Sequence, residues 1–539
     1  MAVEVSVQAG GSRFRGADHE ERREQRAGLV QVTGSVGAVR PLASALVSSP
    51  RVAPNPLPIP AQGPISSLPA GPALAVLGLV AAAVLAWRSG GLTVAAVAPA
   101  AVIGAFACAR WPAAVVVSAF AVTGFANVLT AYLGVPPTGT TDLLLAGLWL
   151  GVLHGYLRQG RERELWLWPG LIAPGLYLAL TFVMVFASDS TAAALDSFRL
   201  AGWHMAALFL IALAPWPDAR LRRVARGFVA VALAVGLYAI YRKLTGPGGA
   251  ELITHRGSLL RPQAGETFFF ASFPTAQDLG GWTALLMPFS FALALTWRGR
   301  WRLLAALAAA TCAFALLAAD RRSAAVGAAV GIAIVVGLYV LAKRPFGAQR
   351  LAIGFLAVAG ALAIGTGTYA ATVGQSDETS ARFSGLTNLE EDYTYQVRLS
   401  RWEDAAELAS EQAFGHGLGT VGEIADSRTD TAPIAPLLDS SYLKIAVEQG
   451  WPMLVLFVGS LLWLAAALAW RAVHSRNPEH AAIAIGACGT IAVMLVLFYT
   501  STFIERLSLV PGWLIVGLGA VCFTSRRGEP TSPGDPASP

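Results

Sequence analysis

Residues 302–342 read RLLAALAAATCAFALLAADRRSAAVGAAVGIAIVVGLYVLA. Two apolar runs are separated only by Asp320, Arg321 and Arg322. A helix needs about 20 mainly apolar residues to cross the hydrocarbon core of a bilayer. This stretch therefore reads as a transmembrane hairpin with its charges at one mouth. Working outward, runs of the same kind recur at approximately 70–87, 92–109, 112–131, 141–157, 168–187, 199–216, 227–242, 279–297, 351–371, 440–470, 480–500 and 508–524. With the hairpin this makes about fourteen spans. The expected fold is an all-α polytopic membrane protein. Pro112 and the short gaps leave room for re-entrant pieces among the early spans. The 440–470 run is longer than one span needs, so its first two turns are expected at the membrane surface or in a cavity.

Composition agrees. Of 539 residues, 55% are hydrophobic and 13% charged, where a soluble domain carries about a quarter charged. The net charge of +6 is carried by short basic clusters between apolar runs, which is membrane topology and not a nucleic-acid surface. With the arginine-rich N-terminal stretch inside, alternation puts RQGRERE from Arg158, DARLRRVAR from Asp218, RGRWR from Arg298, KRPFGAQR from Lys343 and RAVHSR from Arg471 on the cytoplasmic side. The opposite loops near Pro137 and Ser188 have no lysine or arginine. Both termini are expected in the cytoplasm. Residues 1–69, with a proline-rich segment, and 527–539 read as disordered cytoplasmic tails flanking a bundle over 70–526. Cys108, Cys312, Cys488 and Cys522 all lie in apolar runs without a C-x-x-C pair, so they read as packing residues. His204 reads as a hydrogen-bonded packing histidine.

Arginines on the outer side break the positive-inside trend and need another reason: Arg256 and Arg261, Arg321 and Arg322, Arg382, Arg398 and Arg401, and Arg506. The guanidinium fork suits phosphate oxygens and stays charged at any working pH. Several converging from different loops would suit a diphosphate; snorkelling to lipid headgroups, or for Arg321 and Arg322 a pair with Asp320, is the competing reading. The long outer loop, 372–438, has helical patterning: Leu399, Trp402, Ala406 and Ala409 share one face, and Arg398 and Arg401 lie one turn apart. In AFGHGLGTVG the glycines read as a tight turn needing positive φ and not as a dinucleotide loop, because no strand precedes them. His416 within it reads first as a surface histidine. Asp439, opening LLDSSYLKIAVEQG, can cap the following helix or accept a proton from a hydroxyl nucleophile. Glu448, if buried, must pair or line a cavity. Tyr442 reads as packing or an interfacial anchor. No metal-ligand motif, Walker A or G-x-S-x-G is present.

Three segments together resemble the O-antigen ligase and Wzy-type polysaccharide polymerase superfamily, over about 250–470. An R-x-x-G-x-F-like stretch is Arg261-Pro-Gln-Ala-Gly265-Glu-Thr-Phe268, with extra residues. An S-R-like pair with small residues opening a span is DRRSAAVGAAVG. The long outer loop then offers Arg398-Leu-Ser-Arg-Trp402, Gly415-His-Gly417-Leu-Gly419, and Asp439-Ser-Ser-Tyr442-Leu443 followed by Glu448-Gln-Gly450. The chain departs from the family at Asp439, where ligases usually have histidine, which leans toward a polymerase or a divergent ligase. The resemblance implies a GT-C-like, metal-independent glycosyltransferase without cofactors, on the outer face of the bacterial cytoplasmic membrane. Its partners would be a glycan donor on undecaprenyl diphosphate and a glycan or cell-envelope acceptor. It implies Asp439 as the catalytic residue, Arg261, Arg321, Arg322, Arg398 and Arg401 on the diphosphate or substrate, and Glu448, His416 and Tyr442 as secondary candidates. The rival reading is a transporter or flippase of a lipid-linked or anionic solute, which would need charges near the membrane midplane.

Overall fold

The computed structural model describes residues 110–159, 169–213, 216–254, 269–342, 393–426 and 438–522. The expected spans at 70–87, 92–109 and 351–371, both tails and Arg261 lie outside them. Every regular element among the described residues is a helix. The first part of the chain forms α1 (Pro112–Gly124), α2 (Ala126–Leu133), α3 (Pro137–Gln159), α4 (Ile172–Ala187), α5 (Thr191–Phe198), α6 (Ala207–Leu213), α7 (Asp218–Thr245) and the short α8 (Gly249–Thr254). The central hairpins follow as α9 (Ala276–Thr296), α10 (Gly299–Ala318) and α11 (Arg322–Leu341). Beyond them come α12 (Tyr393–Glu411), α13 (Glu423–Asp426), α14 (Ser441–Gln449), α15 (Trp451–His474), α16 (Pro478–Thr500) and α17 (Val510–Val521).

Six of these helices, α7, α9, α10, α11, α15 and α16, are long and apolar enough to cross a membrane, and a seventh span is added if the bent pair α1–α2 is counted as one. Three expected spans take another form. The run at 112–131 bends by 80° between α1 and α2. The run at 199–216 is a wide turn over Arg199–Trp203 followed by the seven-residue α6. The run at 440–470 breaks at Gly450, whose φ of 84° lies in the left-handed region. A Cβ there would sit 2.1 Å from the Ala413 carbonyl oxygen, so only glycine lets the chain turn from α14 into α15.

α9 is the axis of the bundle, buried along nearly its whole length. α7, α10, α11 and α16 pack around it, while α11 and α15 turn Val326, Val330, Val455 and Trp463 outward, as lipid-facing helices do. Pro288 inside α9 cannot donate to the preceding turn. Thr490 of α16 donates its hydroxyl to the Leu285 carbonyl at 3.0 Å, which satisfies a carbonyl near the break. Gly489 of α16 and Gly331 of α11 meet at this level, and a Cβ on Gly489 would fall 2.8 Å from Pro288 and 2.9 Å from the Gly331 carbonyl. Small residues here let three backbones approach closely, the usual way apolar helices associate in lipid. His204 is fully buried with Nε2 3.3 Å from Asp142, the packing role expected of it. Cys312, Cys488 and Cys522 are buried free thiols.

Candidate functional site

One end of the bundle gathers the polar residues. It is built from the C-terminal turn of α7, the first turn of α9, the α10–α11 junction, α12, α14 and the segment between α16 and α17. By the pattern of basic loops, this is the expected outer end.

α14 is anchored there by serines. Ser440 is its N-cap, accepting from the Leu443 amide at 3.5 Å. The Ser441 amide and hydroxyl both donate to the Ser501 carbonyl, at 3.0 and 2.8 Å, and the Ile504 amide donates back to the Ser441 hydroxyl at 3.1 Å. The expected cap, Asp439, is therefore displaced from that role by its neighbour. Its carboxylate instead receives the Arg398 Nε–H of α12 at 3.2 Å, with both side chains about two-fifths exposed (40% and 42%). On α12 the fully buried positions are Ala405 and Ala409, with Ala406 half-buried, and Trp402 stacks edge-on against Tyr499 of α16 at 5.1 Å. The face is rotated slightly from the expected one, and Arg398 and Arg401 stay half-buried at its border.

Arg321 and Arg322 open α11, directly after Asp320, a non-glycine residue with φ of 51°. Gly280 in the first turn of α9 makes room for Arg321: a Cβ at Gly280 would lie 3.1 Å from the Arg321 Cβ and Cγ. Both arginines are half-buried. At the same end of the bundle, the C-terminal end of α7 borders a cavity of about 180 Å³ lined by Arg242, Lys243, Pro247, Phe269, Phe270 and Ala271. Arg242 is held by the buried Glu251 at 3.0 Å and by Tyr132 at 2.9 Å, and Tyr238 donates to the same carboxylate.

The glycine turn after α12 adopts positive φ at Gly415, Gly417 and Gly419, as the sequence requires. It grips the end of α14: the His416 amide donates to the Val447 carbonyl (2.8 Å) and the Gly417 amide to the Glu448 carbonyl (3.0 Å). The His416 imidazole lies 3.0 Å from the Leu408 carbonyl, largely out of solvent. Tyr442 donates to the Leu495 carbonyl of α16 at 2.8 Å, a packing role, and burial pushes its hydroxyl up to about 12. Glu448 is paired, as a buried carboxylate must be: Lys444, one turn earlier, reaches it at 2.6 Å. Glu505 also reaches Lys444, at 3.2 Å. Burial pushes the Glu448 carboxyl up, against Lys444 and with Glu505, to about 7. Burial alone would lower Lys444; the two carboxylates outweigh it and hold the ammonium above its ordinary value.

The sequence reading missed Lys444 and Glu505. The i, i+4 spacing of Lys444 and Glu448 was a signal for the first; nothing local signals the second. Among the described residues no group of three or more His, Cys, Asp or Glu side chains converges as metal ligands would.

Residues 307–458 match the Wzy_C family model, O-antigen ligase. The chain carries an O-antigen ligase region. That region runs from within α10 into α15 and contains Arg321, Arg322, Arg398, Arg401, His416, Asp439, Tyr442 and Glu448. The match covers rather more than a quarter of the chain, and with the six helices long and apolar enough to cross a membrane it supports a multi-pass membrane protein with an O-antigen ligase-like region. No curated protein matches the chain.

Proposed function

We propose that the chain is a glycosyltransferase of the bacterial cytoplasmic membrane, transferring or polymerising a glycan from an undecaprenyl-diphosphate donor at the outer face. About fourteen GT-C-like helices with both ends in the cytoplasm complete the reading. The observation that carries it is Asp439: a partly exposed carboxylate at the mouth of α14, held by Arg398, inside the O-antigen ligase region.

The chemistry follows from those groups. The acceptor hydroxyl gives its proton to Asp439 as its oxygen forms the new bond to the anomeric carbon. The bond from that carbon to the diphosphate oxygen breaks, and its electron pair leaves on the diphosphate. In this reading Arg261, Arg321 and Arg322 would balance that developing charge, Arg398 orients the carboxylate, and Arg401 lies one turn away. The reaction needs no metal in this reading, and the lipid chain lies in a groove between helices. Among the described residues, no charged cluster lies midway along a membrane-length helix, as the transporter alternative would need.

The test is glycan transfer from a purified lipid-linked donor to an acceptor in proteoliposomes. Asp439→Asn and the Arg321→Ala/Arg322→Ala double variant are each expected to lose transfer. Parental rates in both would sink the assignment.

A further inference from the structure

The buried ammonium of Lys444 sits where four separate segments meet. It is 2% exposed and donates to the Val421 carbonyl at 2.6 Å, to Glu448 at 2.6 Å and to Glu505 at 3.2 Å. Glu448, 1% exposed, also accepts the Gly419 and Val421 amides at 3.0 and 3.2 Å, so it ties α14 to the glycine turn. Glu505 accepts the Ser197 hydroxyl of α5 at 3.2 Å. The next residue, Arg506, lies 3.9 Å from Asp278 in the first turn of α9, and Ser508 donates to the same carboxylate at 2.8 Å. Two residues beyond Asp278, Gly280 seats Arg321. Polar contacts joined by short stretches of backbone, Glu505–Arg506 and Asp278–Gly280, thus run from the helix that begins beside Asp439, through Lys444 and Glu505, to the first turn of α9, where Gly280 packs on the stem of Arg321.

We infer that Lys444 is a positioning residue, which through Glu448 and Glu505 fixes the Asp439 end of α14 in register with the Arg321 end of α11. The inference rests on the function proposed above for what those two ends do, but not for the register itself. Apolar residues of similar volume in place of the whole cluster would pack as well, so stability alone does not require these charges, whereas replacing the lysine alone strands two buried carboxylates. What the ammonium adds is directional: three acceptors on three segments hold one donor group. Cooperative networks of this kind specify one arrangement of their parts. The cluster also carries two carboxylates for one ammonium. There is little space, about 10 Å³ beside Lys444 and Glu448, or room for roughly one water, and burial, with the Glu505 charge, pushes the Glu448 carboxyl up. The titratable groups around it are Lys444, Glu448, Glu505 and Tyr177.

The test uses the full-length protein in nanodiscs with four chains: parent, Lys444→Met, Glu505→Gln and Asp439→Asn. Amide hydrogen exchange is read over 415–421, 438–443 and 503–508, and transfer kinetics are read from pH 5 to 9. Lys444→Met is expected to speed exchange in all three segments by about tenfold and to lower kcat by about 10- to 100-fold, the cost of a misplaced group, with donor KM unchanged. Glu505→Gln removes the surplus carboxylate without changing shape. The parent is expected to show an inflection of kcat near neutral pH, where Glu448 titrates, and Glu505→Gln to shift it to lower pH and to speed exchange at 503–508. If Lys444→Met does not fold, Glu505→Gln decides alone. Parental exchange and a parental pH profile in a folded Glu505→Gln chain overturn the inference, as does loss of kcat and KM together with melting temperature and no change of profile. If Asp439→Asn keeps parental activity while the exchange changes appear, the proposed function falls and the positioning role stands.

Discussion

Two carboxylates nine residues apart, Asp439 and Glu448, should respond in opposite ways to loss of charge. The Asp439–Arg398 contact is 3.2 Å long between side chains that are 42% and 40% exposed. A pair so open to water contributes at most about 1 kcal/mol to stability. Asp439→Asn should therefore melt within a few degrees of the parent, while transfer falls about 10²- to 10⁴-fold, the usual contribution of a general base. Glu448 is 1% exposed with Lys444 at 2.6 Å. Glu448→Ala leaves a buried ammonium with half its compensation, and breaking such a pair costs about 3–5 kcal/mol. Its activity should fall because folded protein is lost. The assay pairs thermal melting in detergent with transfer rates normalised to folded protein. A large drop in melting temperature for Asp439→Asn, or normalised activity above about a tenth of parental, would refute the reasoning.

Three further outcomes follow from the same geometry. The Glu448 carboxyl stands at about 7 when folded against an ordinary 4.5. The folded state therefore keeps a proton that the unfolded chain has released; the stability this adds, roughly 3 kcal/mol, is complete below about 4.5 and is lost as pH rises through 7. Melting temperature should fall between pH 5 and 8, and Glu448→Gln should flatten that slope. Gly489→Ala places a methyl 2.8 Å from Pro288 and 2.9 Å from the Gly331 carbonyl, and overpacking of this kind should cost about 1–3 kcal/mol by thermal unfolding. Glu251→Ala strips the fully buried partner of Arg242 and should destabilise by about 3–5 kcal/mol, with Arg242→Met/Glu251→Met recovering part of the loss.

The long spans were legible because nothing but a bilayer explains runs such as 302–342, and six of them stand as membrane-length helices. The glycine turn was legible too, since glycine has few reasons to recur at alternate positions except positive φ. Other features were hidden by physics that acts at a distance. Asp439 and Ser440 both carry an oxygen able to cap α14, and only the docking of Ser441 on Ser501 decides which residue holds that place. Arg398 then competes for Asp439 from 41 residues away. Glu505 meets Lys444 across more than a whole helical hairpin, so no spacing rule could pair them. Ala405 replaces Ala406 on the buried face of α12 because Tyr499, supplied by another helix, sets the rotation.

Gly450 also decides where this part of the polypeptide enters the lipid. A sliding hydropathy window over 440–470 sees one uninterrupted segment, about 46 Å long as a helix. By ending α14 and starting the chain afresh at Trp451, the glycine shortens the crossing to 24 residues, about 36 Å, nearer the roughly 30 Å of a hydrocarbon core. Trp451, 42% exposed, takes the first position of that crossing, where tryptophan favours the boundary between water and lipid. A single residue without a side chain thus works as a depth gauge: it leaves Lys444 and Glu448 outside the 24-residue crossing that starts at Trp451.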